Sequence, residues 1–206
     1  MSHVSSRRRL ALAVAAAIAA LAASAAPAMA SATTCPAAPT SNPFANWGDN
    51  ADYQLAPGGD VEDAAASWSL TGGAGSSEGN ETYMVTSAGD HRSMRLPGTA
   101  SATTARMCVG VEHPTFRFFA KRQGGSAAGT LRVDVVYSDA SGREVSLPVG
   151  EVSDSDDWTP TQALPTMVEQ IGATPGSAVS ISFRFRGQGG GVWSLDDLYV
   201  DPHRLP

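Results

Sequence analysis

Positive charge is scarce in this 206-residue chain, which holds 14 lysines and arginines against 20 aspartates and glutamates, a formal net charge of −6. Three of the arginines, Arg7, Arg8 and Arg9, stand together near the N-terminus, and no basic cluster follows them. A chain without a basic patch lacks the electrostatic footprint of a nucleic-acid or anionic-membrane binder. Beyond about residue 26 there is also no apolar run approaching the roughly 20 residues of a membrane span, so no span is expected. Helical periodicity is almost missing. Only Thr166 to Ile171 has helical spacing, and Gly172 with Pro175 stops it within a turn or two. Cysteine is limited to Cys35 and Cys108.

What is present begins with an export signal. Arg7-Arg8-Arg9, an uncharged run from Leu10 to about Ala26, and Ala28-Met29-Ala30 follow the basic, apolar, small-residue order of a secretory signal, with cleavage expected after Ala30. Ser6-Arg7-Arg8-Arg9-Leu10 also fits a twin-arginine signal, and both routes lead out of the cytoplasm. Removing residues 1–30 from 206 leaves 176, with 11 basic and 20 acidic side chains and a net charge of −9. That length suits one domain with a sizeable core. In an oxidising compartment the two cysteines are expected to close a Cys35–Cys108 disulfide, which would contribute about 4 kcal/mol in the chain-entropy model. Ala32-Thr33-Thr34 before Cys35 lacks the aliphatic residue of a lipid-attachment signal.

The rest of the chain is written in strand periods. Val179, Ile181, Phe183 and Phe185 alternate with Ser180, Ser182, Arg184 and Arg186, the period-two pattern of a strand with one face in a core. Leu131 to Tyr137 and Phe116 to Lys121 alternate in the same way. Further strands are expected at Ser67–Leu70, Thr82–Thr86, Ser93–Leu96, Thr103–Val109, Glu144–Val149, Thr159–Leu164 and Val192–Val200. Gly72-Gly73, Gly124-Gly125, Asp139 to Gly142 and Gly189-Gly190-Gly191 separate them as turns, and Leu131 to Val149 reads as a hairpin. About ten short strands with little helix predict an all-β fold, a two-sheet antiparallel β-sandwich of jelly-roll type. Residues 31–45 read as a tail tied by the disulfide, and 46–206 as the single domain.

Two segments narrow the family. Pro57-Gly58-Gly59-Asp60-Val61-Glu62 followed by Trp68, and the closing Trp193-Ser194-Leu195-Asp196-Asp197-Leu198-Tyr199-Val200, resemble the opening and closing patterns of galactose-binding-like jelly rolls, the fold of many carbohydrate-binding modules. With Trp47-Gly48-Asp49, Tyr53-Gln54-Leu55 and Cys108 to Pro114, the chain also resembles a family of uncharacterised secreted bacterial proteins. The first resemblance implies one structural calcium ion, because the first and last strands of such modules lie side by side. Its ligands here would be Glu62 with Asp196 or Asp197, and Asp60 as an extra one; carboxylates and loop carbonyls suit the six to eight oxygens of Ca²⁺. Strand alternation puts Asp197 on the same face as Trp193 and Leu195. Val61 departs from the pattern, where phenylalanine is usual.

Catalytic signals are weak. Gly75-Ser76-Ser77-Glu78-Gly79 matches G-x-S-x-G formally, but the elbow needs an apolar strand before the serine and a helix after it. His91, His113 and His203 have no metal-ligand spacing, and Glu151, Asp154, Asp156 and Asp157 read as a solvated turn rather than a calcium loop. A glycosidase would need two carboxylates facing one another across a sugar site. The outward residues of the expected strands, Arg117, Phe119, Lys121, Arg132, Asp134, Arg184 and Arg186, form a mixed face with one aromatic; Arg117, Phe119, Asp134, Arg184 and Arg186 are the candidate ligand contacts. Cross-strand ion pairing is the competing account of that face. Trp158 is expected in an exposed loop, and Trp47, Trp68 and Trp193 as anchors of the core or its edge. The expectation is a secreted, non-catalytic, monomeric module that binds extracellular or cell-envelope carbohydrate. The alternative is a structural or protein-interaction domain of the cell surface, and a glycoside hydrolase or esterase ranks below both.

Overall fold

The computed structural model describes residues 34–63, 67–125, 129–153 and 155–202. The expected export signal, Asp154 and His203 lie outside the described residues. Among the described residues, thirteen strands pair antiparallel in two sheets. The first sheet runs in the order β10 (Thr159–Pro160), β7 (Thr115–Gly125), β13 (Gly191–Val200), β4 (Arg92–Pro97) and β3 (Gly75–Glu78), with β1 (Gln54–Leu55) also on β13 and β11 (Leu164–Pro165) also on β7. The second runs β2 (Ser69–Thr71), β5 (Ser101–Thr103), β12 (Ala178–Gln188), β8 (Thr130–Ser138) and β9 (Glu144–Val152), with β6 (Met107–Gly110) also on β12. The chain passes repeatedly between the sheets, from β1 to β2, β2 to β3, β4 to β5, β6 to β7, β7 to β8, β9 to β10, β11 to β12 and β12 to β13, which is the jelly-roll sandwich the strand periods predict.

Alternation decides which side chains meet between the sheets. Phe116 and Phe118 of β7 point inward against Phe183 and Phe185 of β12, with ring centroids 4.2 Å apart for Phe116–Phe183 and 4.9 Å for Phe118–Phe185. All four are fully buried, together with Trp193 and Leu195 of β13. Each such burial stabilises by roughly 1.5–3 kcal/mol. The two ends of the chain meet as the motif resemblance implies: Gln54 pairs with Val200 and Leu55 with Tyr199. The next residues continue the contact, Ala56 N–H donating to the Leu198 carbonyl at 2.9 Å and Leu198 N–H to the Gly59 carbonyl at 3.0 Å.

Several local expectations are corrected. Thr82–Thr86 is loop rather than strand, and Gly75–Glu78 is strand rather than loop; the second is an edge strand whose small residues hide its period. Thr166–Ile171 forms turns, with Ile171 N–H reaching the Met167 carbonyl at 3.2 Å. The hairpin is present as β8 and β9, its turn held by Asp139 Oδ1 accepting from Ser141 N at 2.9 Å and Arg143 N at 3.0 Å. Cys35 and Cys108 are joined, with Cα atoms 5.4 Å apart across a sequence separation of 73. The disulfide is one of several contacts that hold the N-terminal segment. Ser41 and Tyr53 form a β-bridge, a 3-10 turn spans Ala45–Trp47, and Phe44 is fully buried.

That segment builds a second apolar cluster on the outer side of the first sheet, from Phe44, Tyr53, Phe119, Trp158 and Tyr199. Phe119 alternates outward as expected but is 0 % exposed, because Phe44 stacks on it at 5.6 Å and Trp47 meets it edge-on at 5.3 Å. Trp158, expected in an exposed loop, is buried in the same cluster. Trp68 and Trp193 are core residues as expected, and Trp47 is half-buried at its margin.

Candidate ligand face and candidate cation centre

The sandwich has two unlike outer faces. That of the first sheet is covered by residues 41–55 and by the loop from Gly79 to Asp90, while that of the second carries small polar and charged side chains. On the second sheet, Thr103 lies between Arg184 and Ser69, and Ser101 between Arg186 and Thr71. Opposed residues on neighbouring strands share a face. Two rows thus each run arginine, hydroxyl, hydroxyl across β12, β5 and β2. These six residues and Thr99 line a groove of about 410 Å³ with no acidic side chain in its lining.

The arginines of the groove are held from its far side. Arg184 Nε donates to Thr103 Oγ1 at 3.1 Å, and its Nη2 to Glu144 Oε1 at 2.6 Å. Arg186 Nη2 donates to Asp134 Oδ2 at 3.4 Å, and Arg132 Nε to Asp134 Oδ1 at 2.8 Å. Asp134 is fully buried and paired with both arginines, with Arg132 along its own strand and with Arg186 across to β12.

Beneath the loop that follows β3 lie two buried acids of β13, Asp196 and Asp197. Between Asp196 and Tyr199 the register of β13 on β7 slips, and Asp197 takes a positive φ of 50° at the extra residue. The bulge corrects the alternation argument: Asp197 does not join Trp193 and Leu195 in the core but bonds to the loop, accepting from Thr86 Oγ1. With that proton given to Asp197, Thr86 Oγ1 accepts from the Tyr199 hydroxyl at 2.6 Å, and Asp196 Oδ2 accepts from Glu81 N at 3.2 Å. Glu81 closes the loop on itself by accepting from Tyr83 N and, at 2.8 Å, from Val85 N.

Glu81, Asp90, Asp196 and Asp197 are all buried, and no lysine, arginine or histidine side chain pairs with any of them among the described residues. Burial pushes the Asp196 carboxyl up to about 9, with the Asp197 charge adding to it. Burial likewise raises Asp197 to about 7, where Glu81 and Asp90 raise it further against the lowering hydrogen bond from Thr86. Burial and the Glu62 charge raise Asp90. Asp197 Oδ2, Asp90 Oδ2 and both amide atoms of Asn80 have no protein hydrogen-bond partner. Buried carboxylates demand a counter-ion or a proton, and hard oxygen donors of this kind fit a divalent cation such as Ca²⁺.

The expected site residues are divided by the fold. Arg117 and Phe119 lie on the first sheet, Asp134, Arg184 and Arg186 on the second, so the five do not form one face. Arg117 is committed to the N-terminal segment, bonding Asp49 Oδ2 at 2.7 Å and covering the Phe44 ring at 4.4 Å. Glu62 Oε1 accepts from the backbone N–H groups of His91 and Arg92, each at 2.7 Å. Asp60 is half-buried, and burial raises its carboxyl. Sequence reasoning missed Asn80, Glu81 and Asp90. The one available signal was the polar density of Gly79 to Asp90 in a stretch read partly as strand.

The remaining candidates have structural roles. Ser76 sits within β3, its Oγ accepting from Arg92 Nε at 2.7 Å. His91 is exposed, while His113 is buried, its Nδ1 accepting from Gly110 N at 3.1 Å, and burial lowers its pKa. Cys35, Glu112 and His113 come close enough for a metal, but the Cys35 sulfur is spent in the disulfide. Glu151, Asp156 and Asp157 are exposed, with Asp156 paired to Arg122 and Asp157 to Lys121 at 3.9 Å.

No family model matches the chain, and no curated protein is similar to it in sequence. Among solved structures it is similar to the tandem CBM22-1–CBM22-2 domain of Xyn10C from Paenibacillus barcinonensis, at 15% identity over 73% of this chain and 45% of that one, with a TM-score of 0.50. The CBM22-1–GH10 modules of xylanase 10B from Clostridium thermocellum, complexed with xylohexaose, are 17% identical over 66% of this chain and 26% of that one, TM-score 0.48. The CBM22-1 xylan-binding domain of the Paenibacillus protein is 14% identical over 66% and 85%, TM-score 0.46. The chain therefore spans less than half the length of the first two. The likeness to the tandem domain is one of fold: the jelly-roll sandwich of carbohydrate-binding modules.

Proposed function

We propose that this chain is an extracellular, non-catalytic carbohydrate-binding module whose ligand lies along the outer face of the second sheet. The observation that carries the reading is the groove over β12, β5 and β2, where five hydroxyls and two guanidinium groups converge on one open surface. Sugar recognition needs a preformed concave surface with a few placed polar groups, and rigid strands hold these. The opposite face is filled by Phe44, Trp47 and Phe119 and offers no comparable row.

A structural calcium ion belongs to the same proposal. Asp197 and Asp90 would supply carboxylate oxygens and Asn80 its amide oxygen, with Asp196 and Glu81 holding the surrounding backbone. Asp60 and Glu62 would stand beside this centre as outer acids, Glu62 through its bonds to the residues that follow Asp90. When bound, the ion would neutralise buried carboxylates and fix the loop to the bulge; it takes no part in chemistry.

Affinity electrophoresis of the mature protein through gels containing soluble polysaccharides tests the reading. Retardation by at least one polysaccharide, with a non-binding protein unaffected, is expected. Unchanged mobility across neutral and acidic polysaccharides alike would contradict it.

A further inference from the structure

The groove on the second sheet differs from a surface suited to neutral sugar in one respect that its lining makes plain. Ser69, Thr71, Thr99, Ser101, Thr103, Arg184 and Arg186 include no aromatic ring, so the stacking of a ring on sugar C–H surfaces is unavailable there. The aromatic side chains of the described residues are instead in the interior or on the side of the first sheet; Tyr83, the one large aromatic that is exposed, packs against Trp47 at 4.7 Å. What remains in the groove is a lattice of hydroxyls and two fixed cations.

The cations are placed for a particular chemistry. Arg184 and Arg186 are two residues apart on one strand and point to the same side, which separates their attachment points by about 7 Å. A guanidinium has five N–H donors in a planar fork and pairs best with a planar carboxylate. Among the described residues, Arg184 uses its donors on Thr103 and Glu144, and Arg186 uses one on Asp134, a bond of 3.4 Å. Glu144 and Asp134 lie on the β8–β9 side, so they hold the two forks while the groove side over β5 and β2 carries hydroxyls only.

We propose that the groove's ligand is an acidic polysaccharide, whose carboxylates pair with Arg184 and Arg186 while its hydroxyls bond to Ser101, Thr103, Ser69 and Thr71. This rests on the carbohydrate-binding reading and narrows it to uronate-bearing chains. Because Glu144 and Asp134 already share the arginines, the interaction is one of exchange and weakens with salt. The net charge of −6 repels a polyanion elsewhere on the molecule, which restricts binding to the groove.

The test uses the mature protein in affinity gels and titration calorimetry with polygalacturonate, alginate, fully methyl-esterified homogalacturonan and unsubstituted xylan. Methyl esterification keeps the backbone and removes the charge. Tight retardation by polygalacturonate or alginate, weakened at least tenfold by esterification and by Arg184→Gln or Arg186→Gln, is expected. Arg143→Gln, which removes an equal charge at an exposed hairpin turn, should bind as the parent does. Thermal unfolding of each variant establishes that it is folded, and Arg186→Lys, which keeps charge without the fork, should bind weakly even where Arg186→Gln is unstable. Equal binding to xylan, to esterified and to free polygalacturonate, or unchanged binding by both glutamine variants, overturns the acidic assignment and leaves the carbohydrate reading in place. Failure to bind any of the four overturns both.

Discussion

Gly59 ties the two ends of the chain together through the space its missing side chain leaves. A Cβ there would lie 2.5 Å from the Leu198 carbonyl oxygen and 3.0 Å from that of Ala56. The second glycine of the opening motif is thus a packing requirement of the closing strand. Gly59→Ala is expected to destabilise the domain by about 1–3 kcal/mol through overpacking, read as a lower denaturant midpoint with unchanged slope. A second residue-scale expectation concerns Asp196 and Asp197, raised to about 9 and about 7. Acids with raised pKa bind more protons folded than unfolded, so without metal the folded state loses stability as pH climbs from about 4 through those values. In EDTA the melting temperature should fall between pH 5 and 9. Added calcium should reverse the fall, by about 2.7 kcal/mol at a hundredfold excess over its dissociation constant. A melting temperature independent of pH and calcium would contradict the cation centre. The two aspartates were legible in the sequence, but their partners were not, because Glu81 N–H and the Thr86 hydroxyl reach them only through the fold.

The N-terminal segment and the loop after β3 are the elements that sequence periodicity handled least well. Strands announce themselves by alternation, as β12 does, whereas a segment that covers a sheet without joining it has no period to detect. Phe44 is the anchor of that cover, fully buried against Tyr53, Phe119 and Tyr199. Phe44→Ala is expected to cost about 3–5 kcal/mol, measured by chemical unfolding; a surface tail would lose almost nothing. Reducing the Cys35–Cys108 bond should lower stability by about 4 kcal/mol while leaving the fold intact, because residues 41–55 hold the segment independently. Loss of all cooperative unfolding on reduction would show the disulfide to be the main tether after all. Phe119 belongs to the same lesson. Its outward direction was readable from the alternation of β7, but its burial depends on Phe44 and Trp47, some seventy residues earlier in the chain.

At the scale of the molecule, the two outer faces of the sandwich differ in what they carry, an aromatic cluster on the first sheet and hydroxyls with arginines on the second. Two-sheet architecture and the disulfide were present in the residue pattern, through short-range periodicity and a count of two cysteines, while the pairing of Gln54–Leu55 with Tyr199–Val200 was implied by the resemblance of the opening and closing motifs to those of jelly-roll modules. Which strands share a sheet was not, and that alone separates Arg117 and Phe119 from Arg184 and Arg186. The faces are therefore best told apart by following amide resonances in a ¹⁵N-labelled sample during titration with polygalacturonate, with xylan as the neutral comparator. The account predicts shifts confined to residues 69–71, 99–103 and 184–186, with residues 80–86 and 117–119 unmoved. Shifts centred on residues 80–86 and Trp47, or none with either polysaccharide, would contradict the assignment of the ligand to the second sheet.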